Sequence, residues 1–155
     1  LSLELAEAAG SRGVIAGQAE DLAAEGKSPS AELVEFIHLH KTATLIRAAV
    51  RIGAIAGGAK ESDLNALTIY GCDIGLAFQI ADDILNATST AEALGKASGS
   101  DANRKKMTYV SVHGIDGARK KAKELIDRAT GELTKVRGNI EPLEAIARFV
   151  VEREK

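Results

Sequence analysis

The stretch from Gly75 to Asn86, GLAFQIADDILN, restricts the folds open to this chain more than any other. Wound as an α-helix, it places Gln79, Asp82, Asp83 and Asn86 at i, i+3, i+4 and i+7, on one stripe. Ala77, Ile80, Ala81 and Ile84 fall on the other side and make a core face. Two adjacent carboxylates on an otherwise apolar helix cannot be buried without a partner, because an unpaired buried charge is strongly unfavourable. Two outcomes are open: both carboxylates point to solvent, or a cation meets them. Hard cations such as Mg²⁺ are typically held by one or two carboxylates plus the phosphate oxygens of a substrate.

The rest of the chain also reads as helix. Ser2 to about Ala24 gives a first helical pattern, interrupted by Gly10 and Gly13, with Gln18 and Asp21 three apart on one face. Glu25 to Pro29 is a break, and Ser30 is a suitable N-cap for a second helix that runs to about Ala56 and stops at Gly57-Gly58. That helix carries His38, His40, Lys41 and Thr42. Residues two apart on a helix point about 200° apart, so His38 and His40 cannot share an ion, and each is expected on the surface or partly packed. Lys41 shares a stripe with Leu45 and Ala48, so it either snorkels or meets an anion.

Ser62 or Asp63 can cap the third helix, which carries the carboxylates and is expected to end near residues 87–89. Leu94-Gly95-Lys96-Ala97-Ser98-Gly99-Ser100-Asp101 is small, polar and flexible in composition, and Arg104-Lys105-Lys106 follows. Glycine beside lysine points to phosphate, but Ala97 stands where a Walker loop needs Ser or Thr, and no strand precedes it. Gly114 and Gly117 flank the start of another helix, with Ala118, Ala122, Leu125, Ile126, Ala129 and Leu133 inward and Gly138-Asn139 at its end. Pro142 opens a last helix with Leu143, Ile146, Phe149 and Val150 inward. No repeat and no strand emerges. The fold class is all-α, a bundle of five or more helices in a single domain of residues 1–155.

The apolar content is mostly Ala, Leu and Ile, with 3% aromatics and no Trp, which suits close helix packing. A net charge of −2 gives no sign of nucleic-acid binding. The lone Cys72 cannot form an internal disulfide, which fits a reducing cytoplasm. The most apolar run, Ala48 to Ala59, is too short for a membrane span and contains Arg51.

Taken in order, Gly17-Gln18 with Asp21, His38 followed by Lys41-Thr42, Gly75-Leu76-Ala77-Phe78-Gln79 with Asp82-Asp83, and Leu94-Gly95-Lys96 form a specific set. The chain resembles, over essentially its whole length, the C-terminal half of a trans-isoprenyl diphosphate synthase, especially the bacterial farnesyl diphosphate synthase type. The resemblance implies an isoprenoid-synthase helical bundle, here only its C-terminal helices. It implies condensation of isopentenyl diphosphate with an allylic diphosphate, with Mg²⁺ as cofactor and a homodimer as the assembly. Asp82 and Asp83 match the start of the second aspartate-rich motif, which holds Mg²⁺ on the allylic diphosphate. Lys41, Lys96 and Lys106 match lysines that contact that diphosphate. Thr42 and Gln79 match groups near the developing allylic cation, and Phe78 a residue beside the isopentenyl site. Gln18 and Asp21 match a pair close to the metal–diphosphate cluster. The chemistry accounts for these residue types, because ionising a diphosphate calls for cations on the leaving oxygens and for dipoles and a dry wall around the carbocation.

Two departures stand out. Asn86 occupies the place of the motif's third Asp, where a neutral amide can ligate through oxygen but adds no charge. The first aspartate-rich motif and the basic residues that hold isopentenyl diphosphate are not among these residues; in the family they lie upstream. With Leu1 as the first residue, the chain is expected to be a fragment or the ordered part of something longer, and inactive alone. A non-catalytic relative acting as a subunit or diphosphate-binding module is the competing reading.

Overall fold

Helix α5, Glu61–Leu94, is the axis of the molecule. The structure, a computed structural model, describes the backbone of residues 1–94 and 107–152, and the side chains of all of these except 90–94. Before α5 come α1 (Ser2–Ala9), α2 (Val14–Ala24), α3 (Ala31–His38), a π-helical turn (Leu39–Ala43) and α4 (Thr44–Ala56). After it come α6 (Tyr109–Leu133) and α7 (Glu141–Glu152). There is no strand among the described residues.

The main core lies where α5 packs on α6 and α7. Leu67, Tyr70, Ile74, Ala77 and Ile80 of α5 meet Ala118, Ala122, Leu125, Ile126, Ala129 and Leu133 of α6, closed by Ala147 and Val150 of α7. The six α6 residues are those the 3.6 period marks as inward. Alanines at Ala118, Ala122 and Ala129 let the helices approach closely. Polar groups pin the arrangement. Tyr70 donates its hydroxyl to the Leu143 carbonyl at 2.8 Å, and burial pushes its pKa up to about 12. Asp73, fully buried, accepts two hydrogen bonds from the Arg128 guanidinium at 2.5 and 2.6 Å. A second cluster, Ala24, Val34, Ile37 and Met107, joins α2 and α3 to the residues just before α6.

Several boundaries differ from the sequence reading. The first helical pattern is two helices, because the chain turns tightly at residues 10–13. A Cβ on Gly13 would stand 1.9 Å from the Ala8 carbonyl oxygen. The second is one continuous rod, but its middle turn is π. Ser30 caps it, accepting from the Leu33 amide. Helix α5 begins at Glu61, so Ser62 and Asp63 lie inside its first turn, and it continues past residues 87–89 to Leu94. Thr88 does not stop it because its hydroxyl bonds back to the Ile84 and Leu85 carbonyls. Helix α6 ends at Leu133 rather than at Gly138, and Gly114, at φ +71°, breaks it near its start. On α7, Ile146 and Phe149 are exposed, contrary to their expected inward place, because Ala147 and Val150 take the core face. The segment Glu61–Ser89 is long and apolar enough to cross a membrane by length and composition, which the shorter run at Ala48 had hidden; much of it is buried inside the bundle.

Candidate active site

A polar cleft of about 380 Å³ opens between α2, the α3–π–α4 rod, α5 and the start of α6. Asp21, His38, Lys41, Thr42, Gln79, Asp82, Asp83, Asn86 and Thr108 line it, with Ile37 and Met107 as its apolar wall. The α5 stripe at Gln79, Asp82, Asp83 and Asn86 is one side, and helical geometry alone places it there. The facing side depends on the π turn. In a π turn one extra residue is wound into the helix, which rotates the remainder of the rod about its axis. Here that turn carries Lys41 and Thr42.

Two glycines let the neighbouring helices close on this turn. A Cβ on Gly17 would stand 2.2 Å from the Lys41 amide nitrogen, and one on Gly75 2.4 Å from the Ala43 Cα. Backbone therefore lies on backbone at both contacts, and the side chains beyond them meet. Lys41 Nζ donates to Asp21 Oδ2 at 2.6 Å. Thr42 Oγ1 donates to Gln79 Oε1 at 2.8 Å. Gln79 Nε2 lies 3.4 Å from Asp83 Oδ1.

The adjacent aspartates have different surroundings, so neither of the two simple outcomes holds for both. Asp83 is buried; its Oδ2 accepts the Tyr109 amide at 2.7 Å and lies 3.1 Å from His38 Nε2. Asp82 is half-buried at the cleft, and its Oδ2 accepts from Asn86 Nδ2 at 3.1 Å. Asn86 thus acts here as a donor to Asp82.

The structure brings Asp21, Lys41, Thr42, Gln79, Asp82, Asp83 and Asn86 to one cleft. It does not bring Gln18 or Phe78 there. Gln18 is exposed on α2 one turn before Asp21, and Phe78 packs half-buried against the core. Lys96 and Lys106 lie outside the described residues. Sequence reasoning gave His38 no role in the site and expected it on the surface or partly packed; it is fully buried. Its signal was present: His38, Lys41 and Thr42 stand at i, i+3 and i+4. Met107 and Thr108 had no such signal, since they stand at the N-terminal end of α6, outside any helical period.

The lining charges decide what the cleft can take. Among the described residues that line it, three carboxylates, Asp21, Asp82 and Asp83, face one ammonium, Lys41, which Asp21 already holds. Among the described residues, no three of His, Cys, Asp and Glu converge as a self-sufficient metal cage. The oxygen donors at Asp21, Asp82 and Asn86 have the chemistry of a hard-cation site completed by a ligand's own oxygens. Mg²⁺ fits this set on that basis.

Residues 4–145 match the family model for polyprenyl synthetases. The farnesyl diphosphate synthase of Escherichia coli strain K12 is 45% identical over 156 residues, covering 98% of this chain and 52% of that protein. The geranylgeranyl diphosphate synthase of Cyanophora paradoxa is 44% identical over 151 residues, covering 97% of this chain and 50% of that protein. The crystal structure of geranylgeranyl pyrophosphate synthetase from Pyrococcus horikoshii superimposes with a TM-score of 0.81 at 30% identity, over 93% of this chain and 56% of that one. The chain spans about half the length of the curated relatives it matches.

Proposed function

This chain belongs to the polyprenyl synthetase family, and from that membership we propose that its whole protein condenses isopentenyl diphosphate with an allylic diphosphate, dimethylallyl or geranyl, to a short-chain product such as farnesyl diphosphate. The observation that carries the reading is the charge pattern of the cleft. A diphosphate is a polyanion, and among the described lining residues three carboxylates stand against one paired lysine, a set that favours an anion entering together with cations. A site that favours a metal–anion complex over a bare anion is what diphosphate chemistry with Mg²⁺ calls for. Mg²⁺, when bound, would neutralise charge on the departing diphosphate.

The chain's own residues supply the rest. Asp82, with Asp21 and Asn86 beside it, provides hard oxygen donors. Lys41 leaves Asp21 to hold a diphosphate oxygen when a cation takes the carboxylate. Thr42 and Gln79 present an oriented pair of oxygen dipoles beside the place where an allylic carbon becomes positive. Ile37 and Met107 keep water from that carbon. A homodimer is part of the same proposal, supported by the apolar side chains that α1 and α2 leave exposed.

The test is a condensation assay on the whole protein with isopentenyl diphosphate, geranyl diphosphate and Mg²⁺. Product is expected, and Asp82→Ala should lower turnover by a factor of at least about 10², the scale of losing one preorganised electrostatic group. Near-normal turnover of that variant at saturating Mg²⁺ would sink the assignment.

A further inference from the structure

The two adjacent aspartates face different tasks, and the hydrogen bonds around Asp83 define the second one. We propose that Asp83, backed by His38, is a positioning residue that fixes the start of α6 and the direction of the Gln79 amide, leaving Asp82 to serve the ligand. The clause on Asp82 rests on the function proposed above; the clause on Asp83 does not.

Donors converge on Asp83 from three elements. The Tyr109 amide, at the first turn of α6, donates to Oδ2 at 2.7 Å. His38 Nε2, from the end of α3, stands 3.1 Å from the same oxygen. Gln79 Nε2, one turn earlier on α5, lies 3.4 Å from Oδ1. A carboxylate at a helix N-terminus is stabilised by the unsatisfied amides there. With both oxygens engaged in the interior, Asp83 would have to give up protein partners to bind a cation. Asp82 is half-buried and lines the open cleft, where a ligand can reach it.

His38 makes sense only through Asp83. It is 3% exposed, and its Nδ1 is sealed in the interior with no hydrogen-bond partner among the described residues. A buried polar atom left unpaired is costly, so the ring must be worth that cost through Nε2. Tyr109 stacks on the same ring, with centroids 6.2 Å apart. Gln79 is the route to the chemistry. Because its Nε2 points at Asp83, its Oε1 is turned to Thr42, which donates to it. Every donor in the chain from Thr42 through Gln79 thus points toward one carboxylate, and that carboxylate sets the direction of each dipole.

The experiment compares Asp82→Asn, Asp83→Asn, Asp83→Ala, His38→Gln and His38→Ala in the whole protein. Three readouts are taken: amide hydrogen exchange at Tyr109, calorimetric binding of inorganic pyrophosphate with and without Mg²⁺, and steady-state kinetics. Asp82→Asn should weaken Mg²⁺-dependent pyrophosphate binding about tenfold or more and leave Tyr109 exchange unchanged. Asp83→Ala and His38→Ala should speed Tyr109 exchange on the order of tenfold, the scale of a lost hydrogen bond to a charged group. Asp83→Asn and His38→Gln, which keep an acceptor and a donor in place, should recover most of that protection; they also carry the test where an alanine variant fails to fold. Asp83→Asn should lower kcat through Gln79 while KM and pyrophosphate binding change about threefold or less. Loss of pyrophosphate binding in Asp83→Asn as deep as in Asp82→Asn would make Asp83 a ligand and overturn the proposal. So would unchanged Tyr109 exchange in both alanine variants. Unchanged binding in Asp82→Asn would instead overturn the assignment of Asp82 as a metal ligand, with the exchange data still deciding the role of Asp83.

Discussion

Glu4 accepts two hydrogen bonds from the Arg51 guanidinium, at 2.8 and 2.6 Å, and so ties α1 to α4. That bond, more than the accompanying charge attraction, holds the Glu4 carboxyl below its ordinary pKa, against a smaller upward push from burial. A carboxylate whose pKa is depressed by folding contributes stability above its unfolded pKa, and loses it as pH falls through the lower folded value. Glu4→Gln should therefore lower the melting temperature at pH 7 and have a shrinking effect below about pH 4, with a cost at neutral pH of about 1 kcal/mol or less for so accessible a pair. Equal destabilisation at pH 7 and pH 3 would show that the charge plays no part. At this scale the α5 stripe was legible in the sequence, since periodicity alone groups Gln79 with Asp82, Asp83 and Asn86. The pairing of Asp73 with Arg128 was not, because these residues are 55 apart and meet only where α5 and α6 pack. The full burial of His38, expected on the surface or partly packed, has a related reason: the sequence offers two histidines two residues apart, and the tertiary contact with Asp83 is what makes burial tolerable.

Helices are legible where a period runs uninterrupted, as on α6 from Ala118 to Leu133, and less so where backbone geometry changes without a change of composition. The π turn at Leu39–Ala43 is the main case. Nothing in LHKTA marks an i→i+5 turn, and what accompanies it is tertiary: α2 and α5 close on it at Gly17 and Gly75. Gly75→Ala should expose that dependence. Its Cβ would meet backbone and Cβ atoms of Ala43 at 2.4 and 2.8 Å, which no side-chain rotation relieves. Denaturant unfolding should show a loss of about 1–3 kcal/mol, the usual range for forcing atoms into a packed interior. Gly53→Ala is the internal control. Gly53 lies mid-helix in α4 with nothing near its would-be Cβ, so alanine should stabilise by about 0.5–1 kcal/mol. The same sign for both substitutions would refute the clamp. The split between α1 and α2 has a similar origin: the glycines were visible as interruptions, but whether they allow close packing or a turn is decided by the chain folding back on Ala8.

The whole molecule presents two mismatches, one on its surface and one in its cleft. On the surface, Leu3 is 69% exposed and Phe149 66%, joined by Leu5, Ile15, Leu22 and Ile146. Faces of this kind on α1, α2 and α7 are more apolar than a monomer surface usually tolerates. Residues 1–155 purified by themselves should self-associate at micromolar concentration or bind an apolar dye; sedimentation as a well-folded monomer that binds no dye would count against this. In the cleft, one ammonium stands against three carboxylates among the described lining residues. A single metal ion on Asp82 offsets part of that imbalance, yet an allylic diphosphate brings several further negative charges. Ionising it calls for cations on more than one side of the leaving group and for a second substrate held in line, effects that together can be worth many kcal/mol. The chain spans about half the length of its curated relatives, so residues 1–155 alone should bind Mg²⁺ and pyrophosphate weakly and form no condensation product. The decisive measurement supplies these residues with isopentenyl diphosphate, geranyl diphosphate and Mg²⁺. Turnover of about 1 per second, an ordinary enzymatic rate, would mean that the cleft of this half suffices. Product that appears only in a longer protein containing this chain would place the remaining charge and the second substrate's site outside it.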